Sequence, residues 1–363
     1  MEGPLVWLVL SRAAGVGRKR LAALMLTCPD PADAWCLTVN DLQQVSSWHR
    51  PQALAASAAR TDPKIITEAE REWAAARAAG MRLVAILDPD YPVRLRLIPN
   101  PPPYFYQIGP WLPDARPTIA IVGTRKPTAY GRSVAYRIGR ELAAAGAVVV
   151  SGMARGIDCT AHQGALEAGG TTIAVLAGGA DVCYPAEAAP LYRRIMQTGA
   201  VISERAPGCE PRGEFFPERN RIISGLAHGT VVVEAGEHSG TLITVDAALD
   251  QGRDVFAVPG PITSPMSLGP HRLIQEGAAL ATTAREILAG LGFPAPAAPS
   301  SAEGTLEPSE ERVLRGMGLE PQWAGDLVET SGMAPGQVQG ILTILEVKGL
   351  VRRLPGGQYV RSG

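Results

Sequence analysis

Short apolar runs alternate with helical repeats through the middle of the chain. Residues 118–122 and 147–150 are apolar and rich in β-branched side chains, which predicts two buried strands. Residues 136–145 carry apolar side chains at helical spacing, and a second helix is expected to begin near Asp158. Each strand is followed by small residues before its helix. This repeated order predicts a doubly wound parallel sheet, a fold that binds ligands at the carboxyl ends of its strands.

The same alternation continues towards residue 291. Further strands are predicted at residues 171–177, 200–203, 230–234 and 254–258, and further helices at 190–198, 219–227, 239–252 and 271–291. The fold class expected from this pattern is α/β, a doubly wound Rossmann-like sheet over residues 80–292.

The two ends of the chain have other patterns. Residues 1–75 predict a small helical domain, and its glycine turn before Arg18 resembles half of a helix-hairpin-helix, which presents N–H groups to a DNA backbone; a helical packing domain explains the pattern equally well. Residues 293–308 are rich in Pro, Ala and Ser and predict a linker. Residues 309–363 predict three helices and a hairpin, a winged-helix domain whose third helix, from Pro335, carries a single basic residue.

The segment 90–109 is dense in proline and contains Tyr104, Phe105 and Tyr106. The favoured interpretation is a rigid connector that wraps the next domain, and the alternative is an aromatic platform for nucleic-acid bases. No strand is predicted here.

Length, charge and cysteine usage limit the function classes. At 363 residues, two or three domains are expected. No apolar run approaches the length that spans a bilayer, and the first residues lack the basic start of a signal peptide, so we expect a cytoplasmic protein that does not engage membranes. The five scattered cysteines favour reduced thiols over a zinc module. Because the net charge is −1, nucleic acid must be bound through a local basic patch.

Two loops at predicted strand ends suit phosphate. Gly123, Thr124 and Arg125 follow the first strand, and loop 151–156 follows the second. Backbone N–H groups in such loops can surround a phosphate, and the N-terminus of the following helix favours negative charge. Lys126 adds a further cation.

Two later stretches add to this set. Arg219 and Arg221 flank Asn220 at a predicted helix start, and Phe216 can stack on a base. A structural cap with solvated arginines and core phenylalanines explains this stretch about as well. Residues 239–241 open another predicted helix with small hydroxyl side chains suited to phosphate, although Ser and Thr are also ordinary helix caps.

Catalytic patterns are missing from the sequence. It contains no GxGxxG after the first strand, no GxxxxGK[ST], no HExxH and no nucleophile elbow. Asp158 and His162 are four residues apart on one predicted helix, which suits a catalytic pair but fits better a helix N-terminal acid and a hydrogen-bonded histidine. We therefore expect no catalytic residue, no metal and no cofactor.

Together these residues resemble the DNA-processing protein A family, DprA or Smf, of natural transformation. The resemblance is carried by IAIVGTR at 119–125, VVSGMARGIDCTAHQGAL at 149–166, FPERNRIISGLA at 216–227, VVVEAGEHSGTLITVDAALDQGRDVFAVPG at 231–260 and LGPHRLIQEGA at 268–278. With the segment 90–109, which is similar to the start of the family's domain, these motifs follow in order over about residues 82–290.

The resemblance implies a recombination mediator of natural transformation, with no turnover. Such a protein binds single-stranded DNA, forms a homodimer through its Rossmann-like domain, and helps load the strand-exchange recombinase onto incoming DNA, with single-strand-binding protein as a competitor. Members of the family often have a basic residue shortly before the FP of the FPxRNR motif. In this chain Arg212 is the nearest match to that residue. Carried over position by position, the DNA-binding residues are Gly123, Thr124, Arg125, Ser151, Gly152, Met153, Ala154, Gly156, Arg212, Phe216, Arg219, Asn220, Arg221, Ser239, Gly240 and Thr241.

Two other functions compete with this one. A nucleotide-processing enzyme is the first, since phosphoribohydrolases similar to the "lonely guy" family share this sheet type and bind nucleoside phosphates with a PGGxGTxxE motif. The corresponding stretch here, AGEHSGTLIT, lacks the double glycine and the trailing glutamate, which counts against hydrolysis. The second is an interaction scaffold with vestigial nucleotide binding.

Overall fold

The computed structural model describes residues 2–110, 116–294, 306–318, 320–347, 350–354 and 356–361. The chain divides into two compact units, Met1–Ala295 and Pro296–Gly363. The finer division of the first unit into a helical domain and a sheet domain remains a prediction, and most of the predicted linker 293–308 lies outside the described residues. Within the described ranges, no helix has both the length and the apolar character needed to cross a membrane.

The first unit begins with helices that pack around buried apolar side chains such as Trp7, Leu10 and Leu24. They are α1 (Gly3–Ser11), α2 (Arg18–Thr27), α3 (Pro31–Cys36), α4 (Val39–Gln44), α5 (Arg50–Ala59) and α6 (Pro63–Ala78). Local signals fix their starts: α6 begins at a proline, and the preceding Asp62 caps it by accepting a hydrogen bond from the backbone N–H of Lys64 at 2.8 Å.

Arg18, the first residue of α2, faces the protein. Its guanidinium donates to carboxylate oxygens of Glu204 at 3.0 Å and Glu218 at 2.6 Å. The Arg18 charge is therefore paired within the fold, and the resemblance of this glycine turn to half of a helix-hairpin-helix stays a prediction. Arg18 ties the N-terminal helices to the sheet region.

The sheet has nine strands in the order β1-β2-β6-β5-β4-β3-β7-β8-β9. The strands are β1 (Arg82–Ala85), β2 (Tyr104–Ile108), β3 (Thr118–Val122), β4 (Val148–Ser151), β5 (Thr172–Val175), β6 (Ala200–Ser203), β7 (Gly229–Val232), β8 (Asp254–Ala257) and β9 (Ala279–Leu280). Neighbours from β6 across to β9 are parallel, whereas β2 is antiparallel to both β6 and β1. This arrangement confirms the predicted Rossmann-like α/β class.

Helices cover both faces of the sheet. They are α7 (Val93–Arg96), α8 (Ala129–Ala144), α9 (Ile157–Glu167), α10 (Ala189–Thr198), α11 (Phe215–Leu226), α12 (Thr241–Asp250), α13 (Leu268–Gln275) and α14 (Ala284–Gly290). Along β3, Ile119 and Ile121 belong to the core under α8 and α14, and Ala120 and Val122 belong to the core of the other face. Burial on both faces explains why the strand reads as an unbroken apolar run.

The end of the proline-dense segment 90–109, residues 104–108, is a strand of the sheet. The whole segment contributes α7 and β2, and β2 lies between β1 and β6. Phe105 and Tyr106 on β2 are fully buried. The connector interpretation misses β2, and the aromatic platform is wrong for Phe105 and Tyr106, whose side chains fill the core and are not available to stack on bases.

The chain order reverses at β3. β4, β5 and β6 follow on one side of it, and β7, β8 and β9 on the other. In open α/β sheets, ligands bind in the crevice outside the carboxyl ends of the strands at this switch point. The loops that leave β3, β4, β5 and β7 therefore meet at one edge of the sheet, which we call the carboxyl edge.

The second unit is a winged helix. Its elements are α15 (Pro308–Gly316), β10 (Gln322–Trp323), α16 (Ala324–Ser331), α17 (Pro335–Val347), β11 (Val351–Arg353) and β12 (Gln358–Arg361). The strands form a small sheet in the order β10-β12-β11, and the core includes the buried Val313, Leu327 and Leu342. The predicted three helices and hairpin are confirmed, and β10 is an additional strand.

Candidate nucleic-acid interface

The loop after β3 is held rigidly on two sides. The backbone N–H of Thr124 donates to the carbonyl of Glu234 at 2.7 Å, and the carbonyl of Thr124 accepts from the N–H of Ile157 at 3.3 Å. Gly123 is required here, because a Cβ at this position would lie 2.6 Å from a side-chain carbon of Ile157. Arg125 follows directly and is exposed. The loop is thus held in place by these contacts and carries an exposed guanidinium.

Ser151, the last residue of β4, and residues 152–154 after it are buried, and the expectation that this loop contacts DNA stays a prediction. The Ser151 hydroxyl donates to the carbonyl of Ile121 at 2.6 Å and so is used within the sheet. Met153 is held at a φ of 58°, a backbone region that non-glycine residues rarely occupy. Tertiary packing therefore sets the shape of this loop.

Asp158 anchors the same loop from the start of α9. Its carboxylate accepts from the backbone N–H groups of Gly152 at 3.1 Å and Ala154 at 3.3 Å. Burial raises the pKa of Asp158 to about 6, against the opposing effects of the Arg219 charge and of these hydrogen bonds. The expected role of a helix N-terminal acid is confirmed, and its partners are loop amides.

Arg219 is the counterpart of Asp158 on the other side of the loop. It is only 6% exposed, and its guanidinium donates to the carbonyls of Gly152, at 2.6 Å, and Val175. A Cβ at Gly152 would lie 2.5 Å from a guanidinium nitrogen, so only glycine leaves room for this contact. Burial lowers the pKa of Arg219 to about 10, although the Asp158 charge opposes the shift. Arg219 therefore joins the loops after β4 and β5.

The prediction that Arg219, Asn220 and Arg221 begin a helix is wrong. α11 begins at Phe215, so these residues lie beyond its first turn. Arg221 donates to Glu204 at 2.5 Å and its side chain is 14% exposed, so its charge is paired. Asn220 accepts a weak hydrogen bond from the Nε of Arg219 at 3.4 Å. None of the three is the solvated cation or amide at a helix start that the sequence suggested.

The exposed part of the site is built around Phe216. The guanidinium carbon of Arg125 lies 4.7 Å from the centre of the Phe216 ring, and that of Arg219 lies 5.9 Å from it. Tyr184, from the loop after β5, contacts the same ring edge-on, with 5.9 Å between ring centres and 64° between ring planes. Sequence reasoning missed Tyr184, whose only signal was its place soon after a predicted strand.

Arg212 lies beside the other phenylalanine of this segment. Its guanidinium carbon is 5.8 Å from the centre of the Phe215 ring, which also carries Arg205 at 3.7 Å. Arg205 is paired with Glu218 at 2.8 Å, whereas Arg212 is exposed. Arg212 therefore adds a second solvent-facing cation near α11.

The start of α12 differs from a plain capped helix. Ser239 accepts from the N–H of Thr241 at 3.3 Å and donates to the Thr241 hydroxyl at 3.0 Å. Thr241 is buried, and Gly240 between them is exposed. These residues follow β7 at the carboxyl edge, as predicted, and expose mainly backbone there.

Glu234, at the end of β7, is a residue whose role sequence reasoning missed. It is buried, and its carboxylate accepts from the N–H of Thr128 at 2.9 Å and from the Thr128 hydroxyl at 2.5 Å. A Cβ at Gly131 would lie 2.1 Å from this carboxylate. The carboxylate thus occupies the N-terminus of α8, the place where doubly wound folds commonly bind a phosphate.

His162 is fully buried away from these loops. Its Nδ1 lies 2.6 Å from the hydroxyl of Thr172, which itself donates to the carbonyl of Val149 at 2.7 Å. Since the hydroxyl proton is used, Nδ1 must be the donor, and Nε2 is left without a partner among the described residues. Burial, with the Arg219 charge, lowers the pKa of His162 to about 3. Among the described residues, His162 and Asp158 share no hydrogen-bond partner, so they do not act as a pair.

A Rossmann-like sheet with a basic and aromatic cluster at its carboxyl edge, joined in one chain to a winged helix, defines a class of α/β proteins suited to contact nucleic acid. The chain belongs to the DNA recombination-mediator protein A family, whose model matches residues 82–292. The winged-helix model of DprA matches residues 294–357.

Relatives and solved structures agree with this assignment. The chain is 37% identical over 375 residues to a putative DNA processing protein DprA of Mycobacterium tuberculosis, an alignment that covers 98% of this chain and 94% of the relative. It is similar to the X-ray structure of DNA processing protein A from Streptococcus pneumoniae, with a TM-score of 0.69, 33% identity, and coverage of 80% of this chain and 98% of that one. It is also similar to DNA processing protein A from Helicobacter pylori, whose structure is described for its single-stranded DNA binding mode, with a TM-score of 0.53, 27% identity, and coverage of 59% and 97%.

Proposed function

We propose that this chain binds single-stranded DNA at the carboxyl edge of its sheet, as a recombination mediator. The observation that carries the proposal is the contact between Arg125 and Phe216. In the described part of the chain, Arg125 forms no ion pair, so its charge is available to a phosphate. The Phe216 ring is partly exposed, and its uncovered part offers an aromatic surface to a base. Single strands are favoured over duplex because only unpaired bases can reach a ring.

The positions carried over from the family contribute to this site in two ways. Arg125, Phe216 and Arg212 offer side chains to DNA. The N–H groups of Thr124, Gly152, Ala154 and Thr241 are paired within the fold, so the loops at 123–124, 151–156 and 239–241 shape the edge of the site, and the buried residues Ser151, Gly152, Met153, Ala154 and Arg219 hold those loops in place. The site therefore needs no metal and no nucleotide.

Binding without turnover is supported by Glu234. A nucleotide-processing enzyme of this fold would bind a phosphate at the switch point, but there the buried carboxylate of Glu234 satisfies the N-terminus of α8. A phosphate placed at that terminus would meet a negative charge. Release of base from nucleoside monophosphates is the direct assay, and any stoichiometric release would contradict this part of the proposal.

The mediator role rests on the family and on the relative from Helicobacter pylori described as binding single-stranded DNA. We propose that the chain covers incoming DNA in natural transformation, competes there with single-strand-binding protein, and helps load the strand-exchange recombinase. Recombinase filaments should form faster on DNA covered by single-strand-binding protein when this chain is present. An unchanged rate would contradict the loading role and leave DNA binding intact.

We further propose a homodimer through the α/β unit. The outermost strand, β9, is short, and Leu280 on it is half exposed, as is Leu268 on α13. Edge strands with exposed apolar side chains favour pairing with another chain. Light scattering on residues 80–292 tests this, and a monomer at tens of micromolar, on the order of ordinary dimer affinities, would contradict it.

The central test is binding of oligonucleotides without added metal or nucleotide. We expect tight, weakly sequence-dependent binding of single strands, preference over blunt duplex, and affinity that falls as salt rises, because phosphate contacts release counterions. Arg140→Ala is a matched control, since Arg140 is an exposed arginine in the second half of α8, which runs away from the carboxyl edge. Equal affinity for single strand and duplex would contradict the proposal.

A further inference from the structure

Tyr184 lies in the loop that leaves β5 at the carboxyl edge. Hydrogen bonds hold the backbone before it at Gly179 and Ala180, and after it the N–H of Ala188 donates to the carbonyl of Pro185 at 3.0 Å. The Tyr192 hydroxyl donates to the carbonyl of Ala180 at 2.5 Å, and the N–H of Gly179 donates to the carbonyl of Cys209 at 2.8 Å. The position of the Tyr184 ring is therefore set by the fold.

The ring of Tyr184 is the open aromatic surface of the site. Tyr184 is 40% exposed, and its ring contacts the Phe216 ring with 64° between the two ring planes. Of the two residues, Tyr184 is exposed and Phe216 is only partly so. The Phe216 ring also lies against the guanidinium of Arg125, so more of its surface is already covered. In the described residues, the Tyr184 hydroxyl makes no hydrogen bond, so no polar contact explains the placement of the ring.

The charge beside Tyr184 is balanced. Arg155, the nearest cation from the loop after β4, is paired with Glu187. A ligand at Tyr184 is thus met by an aromatic face rather than by a free positive charge. Bases have such faces, and stacking on them depends little on sequence.

We propose that Tyr184 stacks on a second base of bound single-stranded DNA, next to the base held at Phe216 and with the intervening phosphate at Arg125. This inference rests on the proposed DNA binding and adds a residue to it. It predicts a contact that depends on the ring and the base, and only weakly on salt.

The test compares Tyr184→Ala, Tyr184→Leu and Tyr184→Phe in the full chain. Removal of one base-stacking ring typically weakens binding by about 5- to 150-fold. We expect Ala and Leu to weaken binding of a thymidine oligonucleotide within that range, with the salt slope unchanged, and Phe to bind within about twofold of wild type. An oligonucleotide of the same length with abasic sites should bind wild type and the alanine variant alike. Tyr136→Ala is the matched control, because Tyr136 lies on α8 and contacts Glu167 instead.

Three results would overturn the inference while the proposed function stands: an alanine variant within twofold of wild type, a phenylalanine variant as weak as alanine, or an equal loss on abasic DNA. A wild-type chain that fails to bind any single strand would overturn the proposed function itself, and this inference with it. The melting temperature of the leucine variant, which keeps apolar bulk, separates a lost contact from a damaged fold.

Discussion

Two arginines lie over the same phenylalanine ring and do opposite work. Arg125 is exposed and lies 4.7 Å from the centre of Phe216, with no ion pair among the described residues. Arg219 is buried, lies 5.9 Å from the same centre, and donates to two loop carbonyls. The same ring thus contacts an outer layer, whose charge faces solvent, and an inner layer, whose charge is part of the fold.

The difference separates a contribution to the stability of the fold from a contribution to DNA affinity. A buried guanidinium that satisfies carbonyls near a buried carboxylate contributes to stability and to the shape of the loops. An exposed guanidinium contributes little to stability, but it can exchange water for a phosphate. Sequence spacing does not distinguish the two layers, since both arginines belong to motifs that resemble phosphate-binding sites.

The largest effect is expected for Arg219→Ala. The change removes the donors to Gly152 and Val175 and leaves buried Asp158 without its nearby positive charge. Breaking a buried charged network of this kind typically costs about 3–5 kcal/mol in the free energy of unfolding. Thermal and urea unfolding at pH 7.5 measure it.

A second readout tests the cause. In the wild type the Arg219 charge lowers the pKa of Asp158, which burial raises to about 6; without Arg219 this pKa is higher, so in the variant Asp158 takes up a proton on acidification and then needs no counter-charge. The stability difference between wild type and variant should therefore shrink from pH 7.5 to pH 5. A loss below 1 kcal/mol at pH 7.5, or one that grows on acidification, would contradict the inner layer as described.

Arg125→Ala is expected to act on DNA affinity. Loss of a hydrogen-bonded contact to a charged group should weaken single-strand binding by about 1.5–3 kcal/mol. It should also reduce the salt slope by about 0.7, the value for one phosphate contact on a single strand. Titrations at several salt concentrations measure both.

The controls for Arg125 separate the two layers. Arg125→Lys should recover only part of the affinity, because an ammonium lacks the planar fork of a guanidinium. The melting temperature should hardly change, since an exposed side chain supports little of the core. If the alanine variant lost stability and kept its salt slope, Arg125 would belong to the inner layer.

Local patterns predicted the elements of this chain far better than the roles of its side chains. β3 and β6 have the predicted bounds, because a buried parallel strand reads as an apolar run. β2 was missed, since the prolines that precede it suggest a connector and its partners β1 and β6 are set by tertiary packing. The burial of Arg219 was missed for the same reason: its acceptors, Gly152 and Val175, are far away in sequence. The carboxylate of Glu234 caps α8 from within the protein. The one signal of this role in the sequence was an acidic residue directly after a buried apolar run.

His162 provides a pH test of the inner layer. It stays neutral in the folded protein because its pKa is lowered to about 3, whereas in the unfolded chain it takes up a proton below pH 6.5. Stability that is present above pH 6.5 is therefore lost on acidification, by about 1.4 kcal/mol per pH unit, or about 2 kcal/mol at pH 5.

Asp158 acts in the opposite direction below pH 6, so the comparison must isolate His162. His162→Asn keeps a donor near Thr172 and cannot ionise. The stability of wild type relative to this variant should fall by about 2 kcal/mol between pH 7 and pH 5. Parallel curves over this range would show that His162 titrates normally in the folded protein.

The smallest effect is expected when the winged helix is removed. Its third helix, α17, reads PGQVQGILTILEV and has no basic residue, and Arg315 on α15 is paired with Glu311 at 2.7 Å. Residues 1–294 contain the whole outer layer, with Arg125, Phe216 and Tyr184 in one compact unit. Deleting residues 305–363 should therefore leave single-strand affinity within a few-fold and leave the salt slope unchanged, because no phosphate contact is lost. A hundredfold loss, roughly 2.7 kcal/mol, would mean that the winged helix supplies contacts of its own, and the outer layer around Phe216 would then be only part of the DNA site.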